Sequence, residues 1–206
     1  MKIIDISWPI KNDTTTYKNK NNLKIKQTKT FSKDKARESQ ITISTHTGTH
    51  IDAPSHFLKT GKTIDKLDLN KINSKCRVIH IKNKNTITVE DLKNKKIKKD
   101  EIILLKTKNS NLKQNTKFNK NFTYLTKEAA KFLTKSKIKA IGIDYLGIER
   151  DQPSHETHKI LLKNNIPIIE GLRLKNTKEK TYQLICLPLN LIGLEAAPAR
   201  AILIEK

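Results

Sequence analysis

Apolar residues fall along this chain in short clusters whose spacing switches between the period of a strand and that of a helix. The run from Ile3 to Ile10 alternates weakly and predicts a strand closed by Pro9. Residues 11–30 are rich in Lys, Asn and Thr and predict loop with one exposed strand. From Glu38 to Thr45 the alternation is strict, with Ile41 and Ile43 on one face and Thr42 and Ser44 on the other. That pattern predicts a half-buried strand running straight into the segment that follows.

Further along, strand and helix signals take turns. Val78 to Lys82 reads as a strand. Thr88 can cap a short helix containing Val89 and Leu92, with Glu90 and Asp91 in the first turn, where the helix dipole favours acids. Ile102 to Thr107 predicts a buried strand. Thr126 can cap a helix carrying Ala129, Ala130 and Leu133, followed by a strand from Ile138 to Ile143. A helix from Glu156 to Lys163 leads to a strand from Ile166 to Glu170, and Tyr182 to Leu187 and Ala201 to Ile204 are strand-like. The order predicts a mixed α/β fold without internal repeats, and the length favours a single domain across residues 1–206.

Composition changes that picture only at the surface. Apolar residues make up 35% and charged residues 30%, a balance that on its own would suit disorder. Runs such as Ile102 to Leu105 and Ile138 to Ile143 make sense only when buried, so the chain reads as folded beneath a heavily hydrated surface. A net charge of +22 raises nucleic acid as a partner. Yet only five of the 42 basic residues are Arg, the residue that bidentate phosphate and base recognition favours. The lysines are scattered among Asn and Ile, as AT-rich codons would scatter them, and aromatics are 5%, so no specific nucleic-acid partner is expected. Cys76 and Cys186 stand alone and fit buried thiols in a reducing compartment. Asp5 falls where a signal peptide needs its apolar core, and no apolar run approaches the ~20 residues that span a bilayer. A cytoplasmic location away from membranes is the expectation.

The candidate chemistry is concentrated in "HTGTHIDAPSH", residues 46–56, which holds three of the six histidines. His46 and His50 are four apart, but Thr47-Gly48-Thr49 between them is poor helix sequence, so a loop or bulge turning at Gly48 is expected. His50 and Asp52 are two apart and in extended chain point the same way. Pro54 stiffens the exit, and His56 follows on a further turn. A lone histidine is more often a loop or core residue than a ligand. His-x-x-x-His-x-Asp-x-x-x-His is specific enough to reverse that balance and makes an incomplete ligand shell for zinc or manganese. Closing it needs residues from elsewhere. His80 reads as structural or exposed. His155 and His158 are three apart around Glu156, and Glu170 ends the apolar run "IPIIEG", where a solvated surface acid is poorly explained.

"HTGTHIDAPSHF" resembles the signature of the cyclase-like metal-dependent hydrolase family, which includes bacterial kynurenine formamidase and isatin hydrolase. "IIDISWPI" resembles that family's opening strand, "HKILLKNNIPIIEGLRL" its histidine–glutamate segment and "YQLICLPLNLIGLEAAPARAILI" its closing segment. The resemblance implies a swivelling β/β/α fold. It implies one or two divalent ions per chain, zinc first and manganese second, with His46, His50 and Asp52 on one ion. Asp52 would bridge to a second ion held by His158 and Glu170, with His56 as the catalytic proton-transfer residue and His155 outside the ligand set or at a helix start. The implied activity is hydrolysis of a small amide, aryl formamide or cyclic amide, by a homodimer or larger homo-oligomer. Two segments near the family's substrate depart from its pattern: "TTTYKNKNN" replaces an aromatic residue followed by Pro-Gly, and Asp144-Tyr145-Leu146-Gly147 replaces Asp-x-x-Ser. The rival classes are a basic nucleic-acid-binding protein with a structural metal and a family member that binds without catalysis; the intact ligand set opposes the latter.

Overall fold

Apart from the exposed strand within residues 11–30 and the segment beginning at Glu38, the predicted strands join one eight-stranded sheet, and their alternating residues sort onto its two faces. The computed structural model describes residues 1–20 and 22–205. The sheet is built from β1 (Lys2–Asp5), β4 (His50–Asp52), β5 (Lys75–His80), β7 (Ile102–Lys106), β9 (Ala140–Ile143), β10 (Ile168–Glu170), β11 (Thr181–Pro188) and β12 (Ala196–Glu205). Its order is β1-β12-β11-β5-β7-β9-β10-β4, and β4 pairs again with β12, so the sheet closes on itself and leaves β1 on the outside of β12. β5, β7, β9 and β10 are parallel, whereas β4 runs antiparallel to both its neighbours.

Side-chain parity explains the two cores. Val78, Ile102, Leu104, Ala140 and Ile169 point into the closed sheet with Ile51, Leu184 and Leu203. Ile79, Ile103, Leu105, Ile141, Ile143 and Ile168 point outward, beneath α2 (Val89–Lys93), α3 (Lys127–Lys135) and α4 (Glu156–Lys163). The helix starts follow the expected chemistry. Asp91 accepts the Thr88 N–H at 2.9 Å, and Thr126 Oγ1 accepts the Ala129 N–H at 3.2 Å. α3 buries Ala129, Ala130 and Leu133 on one face, and truncating Leu133 to Ala would cost roughly 2–5 kcal/mol.

Three expectations are corrected. The strand predicted from Ile3 to Ile10 ends at Asp5, because Ser7 N–H turns onto Asp5 Oδ1 and Trp8 N–H leaves the sheet for Thr49 Oγ1. The strand predicted from Glu38 to Thr45 is β3 (Glu38–Thr42), and it is exposed rather than half-buried. It pairs only with β2 (Lys24–Lys29) in a separate ribbon, leaving Ile41 57% exposed. It also stops short of the histidines: Ile43 and Ser44 are irregular, and His46 sits in the turns and bends from residue 45 to 49. The last strand begins at Ala196, not Ala201, because Ala196, Ala197 and Pro198 pair with Asp52, Ile51 and His50. The short pair β6 (Thr86–Ile87) and β8 (Tyr124–Leu125) and the turn α1 (Phe31–Asp34) complete the strands and α-helices among the described residues. No helix among the described residues is long and apolar enough to cross a membrane.

Candidate metal centre

Register assembles the first part of the site. β4 is antiparallel to β10 with Glu170 opposite His50 and Ile168 opposite Asp52. Opposed residues share a face, so His50, Asp52 and Glu170 all stand on the helix side of the sheet. There the apolar face of α4, which buries Leu161 and Leu162, also buries His158 one turn earlier. Packing that face onto the sheet is what delivers His158 to the two carboxylates.

The turn that carries the histidines is held by Thr49. Its hydroxyl accepts the Trp8 N–H at 2.7 Å and donates to the Gly171 carbonyl at 2.7 Å, joining the N-terminal segment, the histidine turn and the end of β10. Gly48 takes φ +63°, the left-handed turn that a residue without Cβ makes freely. Pro54 opens the 3-10 turn Pro54–His56, which brings His56 back beside His46 with ring centroids 4.3 Å apart.

All six residues singled out in the sequence converge. His46 Nδ1 is 3.1 Å and His50 Nε2 3.6 Å from Asp52 Oδ1, while His158 Nε2 is 3.7 Å from Asp52 Oδ2. Glu170 is divided in the same way: Oε2 lies 3.4 Å from His50 Nε2 and Oε1 3.3 Å from His158 Nε2. His56 offers a nitrogen within 4.8 Å of ligand atoms on both His46 and Asp52, so geometry alone would admit it to the ligand set. His155 stands just before α4 at its cap, as a helix-start residue.

The donor set fits a divalent cation. Among the described residues, both Asp52 oxygens and His50 Nε2 are buried without a hydrogen-bond partner. Such orphans cost about 1–3 kcal/mol each, more for charged groups, unless something of opposite charge is shared among them. Burial opposes charge on His158, but the Glu149, Glu170 and Asp52 carboxylates outweigh it and raise its pKa to about 10. His50 is raised in the same way, with burial overcome by Glu170 and Asp52. Burial also works against ionised Glu170, and His158 and His50 reverse that, holding it well below the usual carboxylate range. The field of this cluster therefore favours positive charge at its centre. His56 differs, since burial lowers its pKa and keeps the ring neutral.

A cavity of about 220 Å3 opens onto the cluster. Tyr17, Phe57 and Leu146 give it apolar walls, and Thr16, Ser44 and Lys20 give it polar ones. Both segments that depart from the family pattern therefore reach the cavity, through Tyr17 and Gly147.

Two acids were not anticipated from the sequence. Glu149 reaches His158 Nδ1 at 3.2 Å, and Glu195 reaches His46 Nε2 at 3.3 Å. Glu149 lies in the charged run "ERD", and only its position after the buried Ile148 hints at its burial.

Comparison with known proteins places this arrangement. The Cyclase family ("Putative cyclase") matches residues 4–150. The kynurenine formamidase of Bacillus cereus (strain ATCC 10987 / NRS 248) is 34% identical over 204 residues, covering 97% of this chain and 96% of that protein. A solved structure described as a potential metal-dependent hydrolase with cyclase activity superposes with a TM-score of 0.89 at 38% identity, covering 98% of this chain and 96% of the other. Isatin hydrolase A from Labrenzia aggregata shares the fold at a TM-score of 0.85 and 19% identity, covering 100% and 94%. The α/β fold implied by the sequence resemblance is thus the fold observed.

Proposed function

The chain belongs to the Cyclase family, and from that membership we propose that it is a metal-dependent hydrolase of amide C–N bonds acting on a small aryl formamide or cyclic amide. The observation that carries the reading is Asp52, whose two oxygens are buried and unpartnered and face different imidazoles. In this reading His46, His50 and Asp52 would hold one divalent ion, and Asp52, His158 and Glu170 would hold a second. Zinc suits the mixed nitrogen and oxygen donors, with manganese as the alternative.

A divalent cation bound there supplies Lewis acidity for a carbonyl and brings the pKa of water from 15.7 to about 7 in favourable sites. The chain's own residues do the rest. Tyr17, Phe57 and Leu146 bind the apolar body of the amide and keep bulk water from it. His56 lines the cavity beside His46 and accepts the proton of the attacking water. It then returns that proton to the leaving nitrogen, which departs as an amine. Lys20 at the cavity rim favours substrates with an anionic group.

Residues 1–206 are proposed to act as one catalytic unit, and the free, buried Cys76 and Cys186 support a reducing, cytoplasmic location. The exposed Leu187, Leu189 and Ile192 support assembly into a homodimer or larger homo-oligomer. Metal analysis of the purified wild type beside Asp52→Asn tests the reading. One to two equivalents of divalent metal in the wild type, and a clear loss in the variant, are expected. A wild type without affinity for zinc or manganese would overturn it.

A further inference from the structure

Each of the three central imidazoles turns one nitrogen toward Asp52 or Glu170 and meets an oxygen with the other. For His50 that oxygen is the Gly48 carbonyl, 3.0 Å from Nδ1. For His46 it is Glu195, 3.3 Å from Nε2, and for His158 it is Glu149 Oε2, 3.2 Å from Nδ1. The two acids differ in setting: the Glu195 side chain is 36% exposed and that of Glu149 only 3%. A buried carboxylate makes the stronger partner, because little water competes for it.

We propose that Glu149 is a positioning residue for the second ion: it holds the His158 ring with Nδ1 protonated, leaving Nε2 to face Asp52 and Glu170. The inference rests on the metal-dependent reading of the site. A ligating histidine whose far N–H meets a carboxylate is fixed in tautomer and orientation and made a better donor. Glu149 is itself held at several points. Its Oε2 also accepts the backbone N–H of His158 at 3.2 Å, and its Oε1 is 2.5 Å from His155 Nδ1. His155 stands at φ +52° before the first turn of α4, a left-handed conformation uncommon outside glycine but taken by histidine more often than by most residues. Its ring lies 4.7 Å from Phe57, which in turn lies 4.6 Å from His158. Glu149 meets Nδ1 at ion-pair distance and outside hydrogen-bond geometry, and that buried nitrogen has no hydrogen-bond partner among the described residues. Glu149 is therefore the group through which the start of α4 and the His158 ring share one anchor.

Capping the helix and orienting the ring are separable. Glu149→Gln keeps an oxygen for the His158 N–H but removes the charge facing Nδ1. The test is chelator competition with zinc and with manganese on the whole chain, beside the melting temperature of the metal-free protein and the KM and kcat for an aryl formamide. Glu149→Gln is expected to melt close to wild type without metal. It is expected to bind the second equivalent about 10–100-fold more weakly and to lose kcat more than KM. Glu149→Asp, which keeps the charge, is expected to recover part of that affinity and carries the comparison if the Gln variant does not fold. Glu195→Gln is expected to lose less. Wild-type affinity in Glu149→Gln, with or without a lower melting temperature, would overturn the assignment and leave Glu149 as a helix cap. A wild type that binds neither metal would instead overturn the reading on which the assignment rests.

Discussion

Gly171 packs directly on Gly48: a Cβ built at position 171 would stand 2.2 Å from the Gly48 carbonyl oxygen. That oxygen lies 3.0 Å from His50 Nδ1, so the contact between two glycines sets where one candidate ligand stands. Gly171 also takes φ +68°, where a side chain is strained whatever the space around it. Gly171→Ala is therefore expected to lose roughly 1–3 kcal/mol from backbone strain, with a further loss from the clash. Metal affinity should fall with it as His50 is displaced. Gly193→Ala is the control, since Gly193 sits at φ +79° with nothing within 4 Å. Denaturant unfolding of both variants should show the smaller loss at position 193.

His56→Ala separates proton transfer from ligation. In the proposed mechanism it keeps its metal content and loses about 10²–10⁴-fold in kcat. Loss of the metal along with turnover would make His56 a ligand, a role that its closeness to His46 and Asp52 permits.

The candidate site was unusually legible in the sequence because much of its geometry is local. His50 and Asp52 share a face by strand parity alone, Gly48 turns as its residue type suggests, and Pro54 starts the turn that carries His56. Joining His158 and Glu170 to them took the family resemblance, since antiparallel pairing of β4 with β10 leaves no local trace. Glu149 and Glu195 escaped for the same reason. The candidate ligands they face, His158 and His46, are nine or more residues away, and an acid beside Arg150 and Asp151 reads as a solvated run.

Alternation from Glu38 to Thr45 likewise suggested a half-buried face, but it carries no information on what covers that face: only Glu38–Thr42 forms strand, and it is exposed throughout. β3 pairs only with the lysine-rich β2, and Ile41 remains exposed. At the other end, Ala196-Ala197-Pro198 has little strand propensity, and only its long-range pairing with β4 extends β12 over it.

The two thiols provide a test of burial. Cys76 and Cys186 are free and buried, and burial pushes both up to about 12. Since the thiolate is the reactive form, neither should be alkylated by iodoacetamide at neutral pH in the folded chain, and both should react in denaturant. Mass spectrometry of the labelled protein reads the outcome, and rapid labelling without denaturant would show that the core around them opens.

The charge of +22 makes a separate prediction. RNA and DNA should bind weakly at about 150 mM salt, without sequence preference, and release steeply as salt rises through counterion release. Fluorescence anisotropy with several unrelated oligonucleotides checks this. Micromolar or tighter sequence-selective binding would show that the lysines serve a nucleic-acid partner.

The most direct test of the central claim is aryl formamide hydrolysis by the chelator-treated protein, before and after zinc or manganese is restored. Negligible turnover after chelation, recovered on adding either metal and not recovered by Asp52→Asn, is the expected result. Hydrolysis that survives complete removal of metal, or that fails to appear on a panel of formamides, lactams and cyclic imides with either metal present, would contradict it.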